Sequence, residues 1–488
     1  MFRMFWKKSH EKSFSMDSQF CRVGYGEFIL RVEFKYNPAL PAKVVQSNLH
    51  FSSEALFLKT FMFKNATLRS ARIFFLLSIF AVPFSTALTN FFVAFTYLAF
   101  LLAVCADRQL LDTVKFTPAV LALGLFVLFL LGSAWSIAPH NEILQALGKY
   151  KKLFLIPIGL ALAWRDSGLA RRALVCFLLG SVMLALSSYL VWLKLMPTSA
   201  LGWWRIGDGA NATAFKNHIT MGIILGFSSL ICWNYFFYAS SLPERLLSVS
   251  AGILLAFPII FLTQGRSGYV VLFVGVVALS ALHFRSGWKM LLVSMLTATT
   301  MFVGFNSLSD NFRQRTSHLI AEIKDYSSAN QMHLSGTRFS GSGEVNSSGI
   351  RLSFYKAGLE MMAQHPVFGL GTGSFSEGFA PTAKKLWPED APEFTARHQP
   401  HSEVILIGVQ LGALGWILYF SLLGSLIWVA RNNRSWEATS LSILIVIFGV
   451  TAVFNSLLWD VTEGHWFVLL AGCLYAQVRK QNADTVRE

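Results

Sequence analysis

Charge is scarce in this chain. Only 14% of its 488 residues are Asp, Glu, Lys or Arg and 54% are hydrophobic, whereas a soluble domain carries about a quarter charged residues. That deficit excludes an ordinary soluble enzyme and points to a polytopic membrane protein. Acidic residues are the scarcer sign, 26 against 41 basic, which leaves a formal net charge of +15. In a membrane chain such an excess marks cytoplasmic loops facing anionic lipid, so nucleic acid is set aside as a partner. Cysteine is sparse too. Of five, Cys105, Cys176, Cys232 and Cys473 lie inside apolar runs and Cys21 in the N-terminal stretch, so neither a disulfide framework nor a zinc spacing can be assembled. No GxGxxG or P-loop stands in a strand–helix context, no HExxH occurs, and the long loop has no DxD pair. The first residues also lack the charged, apolar and small-residue succession of a removable signal peptide.

Long apolar runs are what the chain has instead. A spanning helix needs about 20 such residues, and twelve runs are candidates: 71–88, 89–105, 116–135, 150–165, 170–193, 217–239, 246–264, 266–284, 288–305, 401–429, 438–457 and 464–478. The run at 150–165 is short and led by lysines. The expected fold is therefore all-α, a polytopic integral membrane protein of about 12 transmembrane helices with one long outer loop region containing short helices. Its expected parts are a basic cytoplasmic tail (1–70), helices 1–9 (71–305), the loop domain (306–400), helices 10–12 (401–480) and a second tail (481–488). Met62 is followed by a short basic segment and the first apolar run, so the residues before it read as an over-extended translation start.

Lys and Arg of the short loops orient these runs. With the N-terminus inside, the inner loops carry Arg108, Lys115, Arg165, Arg171, Arg172, Arg245, Arg285, Lys289, Arg431, Arg434, Arg479 and Lys480, and the long loop lies outside. Cations that break this pattern are informative, because topology does not explain them and lipid penalises them. They are Lys149, Lys151 and Lys152 before the fourth run, Lys194, Arg205 and Lys216 between the fifth and sixth, and Arg266 between the seventh and eighth. With Arg397 and His401 they share one membrane face, as an anionic headgroup would require.

Each of these also has a plainer reading. Arg266, in Gln264-Gly265-Arg266-Ser267-Gly268, is either a snorkelling arginine on a helix hairpin or a clamp on phosphate. Arg205, in Gly202-Trp203-Trp204-Arg205, is either a charge in an aromatic belt or a second phosphate ligand. Lys216 and His218 are either the polar cap of the sixth run or substrate contacts, and Lys149 and Lys152 either a solvated basic face or anion contacts. Asp460, Glu463 and His465 are either solvated loop residues, the preferred reading, or supports of the site from below.

The long loop supplies the remaining groups. Arg351–Gln364 (RLSFYKAGLEMMAQ) reads as an amphipathic helix stopped by His365-Pro366, and the glycine-rich turn Val367-Phe368-Gly369-Leu370-Gly371-Thr372-Gly373-Ser374-Phe375 follows. The loop meets the tenth run through Arg397-His398-Gln399-Pro400-His401-Ser402-Glu403, ahead of the small-residue kink Gly412-Ala413-Leu414-Gly415. A neutral imidazole at a membrane boundary takes a proton from a sugar hydroxyl near neutral pH, which makes His401 the preferred base; its plainer reading is a helix cap. His398 competes for the same role. The HxxH spacing also suits two metal ligands, but no third or fourth stands at a recognisable spacing, so no metal is expected. Arg397, His398 and Arg351 join Lys216, His218, Lys152 and Lys149 as expected substrate contacts.

This order of helix, hPxFGxGxGxF turn, polar span, HxxH and membrane helix resembles the O-antigen ligase and polymerase superfamily of bacterial envelopes, and the Arg266 junction is similar to one found there. Ser402 stands where that superfamily usually has Asn. The resemblance covers the architecture broadly, but in motif only the Arg266 junction and residues 351–415. It implies a GT-C-like glycosyltransferase in the bacterial inner membrane, with its active site facing the periplasm and no metal or cofactor. It further implies an important arginine in the loop of Arg205. The reaction implied is transfer of a polysaccharide from undecaprenyl pyrophosphate to lipid A-core oligosaccharide, with Arg266 and Arg205 on the departing diphosphate, His401 as base and inversion at the anomeric centre. An O-antigen polymerase and a protein O-oligosaccharyltransferase share these motifs and differ in acceptor. A lipid or polysaccharide transporter would use the same cations, but no internal repeat is visible between the halves.

Overall fold

The computed structural model describes residues 47–196, 212–284, 287–314, 316–317, 320, 347–388 and 399–485; Arg205, Arg397 and His398 lie outside the described residues. The chain divides into two compact units, 1–62 and 63–488. Among the described residues every regular element is helical. Apolar runs this short of charge must satisfy their backbone groups internally, which in lipid leaves the helix as the open-ended solution. The helices are α1 (Ser47–Ala81), α2 (Thr86–Ala106), α3 (Thr117–Gly132), α4 (His140–Tyr150), α5 (Leu155–Trp164), α6 (Leu169–Trp192), α7 (His218–Tyr235), α8 (Leu242–Phe257), α9 (Arg266–His283), α10 (Gly287–Leu308), α11 (Ser347–Gln364), α12 (Phe375–Leu386), α13 (Glu403–Ala430), α14 (Trp436–Thr451) and α15 (Val461–Thr485).

Each of the twelve apolar runs overlaps a helix, although the run 71–88 straddles the turn between α1 and α2 and the helices are unequal. Six of those described are long and apolar enough to cross a membrane: α2, α6, α8 with its extension to Leu262, α9, α10 and α13. A seventh is added if the 3-10 turn Arg108–Lys115 and α3, bent by 88°, make one span. The lysine-led run at 150–165 is a 3-10 turn, Lys151–Phe154, followed by the ten residues of α5. Burial separates core from periphery. Every residue of α15 from Thr462 to Ala476 is buried, which makes it the central post. On α10 only Ser294 is buried, and leucines such as Leu291 and Leu296 are presented outward, as a lipid-facing helix requires.

The long helix α13 is not continuous. Gly412 sits at φ 61°, ψ −152°, a conformation essentially restricted to glycine. A break inside an apolar helix strands carbonyls and N–H groups that lipid cannot satisfy. The glycine-rich turn after α11 satisfies them. Leu370 and Gly371 donate to the carbonyls of Val409 and Gln410 at 2.8 and 2.9 Å, and Ala413 N–H donates to the Pro366 carbonyl at 2.8 Å. The same turn reaches the end of α3, where Thr372 N–H donates to Gly132 and the Ser136 hydroxyl donates to the Thr372 carbonyl. The turn is thus a splint between two helices.

Any side chain at 412 must leave that conformation or strike the splint, since a Cβ there lies 2.4 Å from the Val367 backbone. Gly412→Ala should therefore destabilise the protein by ~2 kcal/mol or more, read as a fall in thermal midpoint in detergent.

Candidate functional site

The short turn between α14 and α15, residues 452–460, collects one end of the bundle. Its main anchor is Glu403, the first residue of α13. Ser402 caps the helix by accepting from Ile405 N–H, and the backbone N–H of Glu403 donates to Ala452 and Asn455. The Glu403 side chain is fully buried. One carboxylate oxygen accepts from the Tyr150 hydroxyl at 3.2 Å, and the other from the N–H groups of Leu458 and Trp459 at 2.8 and 3.3 Å. Tyr150 stacks on Phe129 at 3.7 Å and accepts from Gln410, whose own side-chain oxygen accepts from Gly373 N–H at 2.7 Å. One carboxylate therefore ties the splinted turn, α4 and the 452–460 turn together. A buried carboxylate is tolerable only with donors of this number.

Two lysines reach the same turn. Lys152 is 3% exposed and donates to the Asp460 carbonyl at 2.7 Å; Lys216 is 7% exposed and donates to the Thr462 hydroxyl at 2.8 Å. Their anchors are two residues apart, which keeps the ammonium groups within about 15 Å of each other. Lys152 is thus not part of a solvated face. It fits because residue 464 is glycine: a Cβ there lies 2.5 Å from the Lys152 nitrogen. Lys149, half-buried, stands over the Trp459 ring at 5.9 Å. The carboxylate of Glu463, buried beside them, accepts from the Thr220 hydroxyl. Burial pushes the Lys216 ammonium down to about 8, against the opposing pull of Glu463.

Asn455 joins α9 to this turn. Its side-chain amide lies 3.5 Å from the Ser267 hydroxyl while its carbonyl accepts from Glu403 N–H. Arg266, the residue before Ser267, opens α9 after Gly265. A cation at a helix N-terminus opposes the helix dipole, whereas an anion there is stabilised by both. Gly265 packs on His218, whose carbonyl would meet a Cβ at 2.7 Å. Asn217 accepts from Thr220 N–H and is the cap of α7, so the plainer reading holds for that residue while Lys216 and His218 flank it.

His401 lies just outside α13, two residues before Glu403. It is not the cap, a role taken by Ser402. Its φ of +55° is left-handed, a conformation costing an L-residue ~1–2 kcal/mol. Its carbonyl accepts from the Tyr355 hydroxyl of α11 at 3.2 Å. Arg351 precedes Tyr355 by four residues, hence on the same helical face.

Lys149, Lys152 and Lys216 contact the 452–463 segment directly. Arg266 adjoins Ser267, whose hydroxyl meets Asn455 of that segment, His218 packs on Gly265, His401 lies two residues before Glu403, and Arg351 lies one helical turn from Tyr355 on α11. Sequence reasoning missed Glu403, Tyr150, Gln410 and Asn455 as partners. Only Glu403 offered a signal, a carboxylate beside a cap residue at an apolar helix start. It also took Glu463 and His465 for solvated residues; both are buried, at 3% and 6% exposure, because they lie on the central post. Among the described residues no three His, Cys, Asp or Glu side chains group as metal ligands. Chemically, the anchored ammonium groups of Lys152 and Lys216 suit an anion, and His218 and His401 are the described imidazoles of the candidate set.

Residues 251–420, from α8 into α13, match the family model described as O-antigen ligase. No curated protein matches the chain.

The depressed Lys216 supplies a pH test. Its charge is present below about pH 8 and lost above it, so affinity for inorganic pyrophosphate, measured by calorimetry, should fall as pH rises through that value. Lys216→Arg, which keeps its charge, should remove the step, and Lys216→Met should weaken binding across the range by ~1–3 kcal/mol.

Proposed function

We propose, from the match of residues 251–420 to the family model described as O-antigen ligase, that the chain is an O-antigen ligase, a glycosyltransferase acting on lipid-linked polysaccharide. In this reading it adopts a twelve-span, GT-C-like architecture in the bacterial inner membrane with its site facing the periplasm. It moves polysaccharide from undecaprenyl pyrophosphate to the lipid A-core oligosaccharide. The observation that supports the reading is that Lys152 and Lys216 are anchored on one segment to which Ser267, next to Arg266, and Glu403, two residues after His401, are also bonded. An apolar groove of about 510 Å³ between Ile260 and Phe261 and the α10 residues Leu296, Met301 and Phe305 supports a lipid-linked donor. Phe261 precedes Arg266 by five residues, within about 18 Å along the chain, so a polyprenyl tail in the groove keeps its diphosphate near the arginine.

Each group then has one role. Arg266, Lys152 and Lys216 hold the diphosphate, with Arg205 as a second guanidinium and Lys149, His218, Arg351, Arg397 and His398 as further substrate contacts. His401 takes the proton of the acceptor hydroxyl. The hydroxyl oxygen forms a bond to the anomeric carbon as the carbon–oxygen bond to diphosphate breaks, and the electron pair leaves with the diphosphate. Attack from the opposite side inverts the centre. The cations act where negative charge develops, and they are already in place before reaction.

Purified protein supplied with carrier-linked glycan and core acceptor should form glycosylated core without added nucleotide or divalent metal, and activity should survive EDTA. His401→Ala should lower turnover ~10²–10⁴-fold while donor binding persists. Arg266→Ala should instead weaken donor use ~10–100-fold. Product that stays on the carrier would identify a polymerase, and movement across vesicles without bond change a transporter; either outcome contradicts the ligase reading.

A further inference from the structure

Residue 401 is a joint between two differently held pieces of chain. Downstream, Ser402 and Glu403 are fixed: the Ser402 hydroxyl lies 3.4 Å from the Ala452 carbonyl and accepts from Ile405 N–H, and Glu403 is held by its backbone and both carboxylate oxygens. The start of α13 therefore cannot turn to re-aim the histidine. His401 takes the left-handed conformation, and the direction of its Cα–Cβ bond follows from that φ. A return to negative φ would swing the imidazole to another side. Holding the joint from across the loop is the Tyr355 hydroxyl, which donates to the His401 carbonyl at 3.2 Å although 46 residues separate the two. Its ring is half-buried on α11, a helix anchored by the buried Phe354, Ala357 and Met361.

We propose that Tyr355 is a positioning residue for His401, its hydroxyl holding the residue-401 carbonyl so that the imidazole stays aimed at the acceptor. The proposal rests on the reading of His401 as the base. One neutral hydrogen bond is of the same size as the penalty of the left-handed backbone, so loss of the first releases the second. Tyr355 touches no substrate in this account. Its effect falls on turnover and not on donor affinity, because the cations that hold the diphosphate stand on other helices.

Tyr355→Phe in the full-length protein removes one oxygen and keeps the ring packing. The expected result in the transfer assay is a fall in kcat of about tenfold with the donor KM unchanged within about twofold, and the same inflection in the pH profile. A second readout needs no activity: diethyl pyrocarbonate modification followed peptide by peptide. The His401 rate should change by about threefold or more, because its exposure follows the backbone flip, whereas His218 and His365 should keep theirs. Unchanged kcat together with an unchanged His401 rate overturns the proposal. A raised KM at constant kcat makes Tyr355 a substrate contact and also overturns it, as does a parallel change at all three histidines, which means general loosening. A changed His401 rate alone supports the positioning role but removes His401 as the base. If the wild-type protein transfers no glycan, the modification rates still decide the positioning role while the ligase reading fails.

Discussion

A carboxylate without access to water holds one end of this bundle together. Glu403 opens a membrane helix, where its charge agrees with the helix dipole, and it receives one hydroxyl and two backbone donors from segments far away in sequence. An unpartnered charge at such depth would cost several kcal/mol, and breaking a buried set of this kind typically costs about 3–5 kcal/mol. The geometry of the 452–460 turn, and so of every cation anchored on it, depends on these three bonds. Lys152 and Lys216 are held by backbone and hydroxyl oxygens of that segment, which fixes their positions beside the buried Glu463 carboxylate.

The second constraint is the interrupted helix. A membrane helix that breaks must find partners for its stranded carbonyls and N–H groups, and here the glycine-rich turn supplies them on both sides of Gly412. The turn in turn leans on α3 and, through Gln410 and Tyr150, on Glu403. Backbone repair of the break and placement of the site are one network. The residues that carry charge chemistry therefore sit on a frame of hydrogen bonds that closes on the buried Glu403 carboxylate.

The sequence made parts of this legible. Apolar runs located the helices, because hydrophobic length is a local property, and Gln264-Gly265-Arg266 correctly separated α8 from α9. The small residues at 412–415 announced a kink, although only Gly412 leaves helical geometry. Of the misplaced cations, Lys149, Lys152 and Lys216 contact the 452–463 segment. What periodicity could not express is contact between residues 250 apart. Tyr150 reads as one more aromatic among lysines until it is seen under Glu403, and Asn455 and Gln410 resemble ordinary polar residues near helix ends. Glu463 and His465 looked solvated because their local sequence is polar, whereas the central position of α15 buries them. Unequal helix lengths explain why a uniform ruler gave twelve runs while six or seven described helices are long and apolar enough to span. The roles of Arg205, Arg397 and His398 rest on sequence alone.

The central claim is that cations from separate helices converge on one diphosphate beside His401. Cryo-electron microscopy of the full-length protein with undecaprenyl pyrophosphate tests it directly. The account predicts diphosphate density within about 4 Å of the Arg266 guanidinium and of the Lys152 or Lys216 ammonium, charge-assisted hydrogen-bonding reach once side-chain adjustment is allowed, with His401 facing the space beyond it. Density for the diphosphate at another part of the bundle, away from the 452–463 segment, would contradict it.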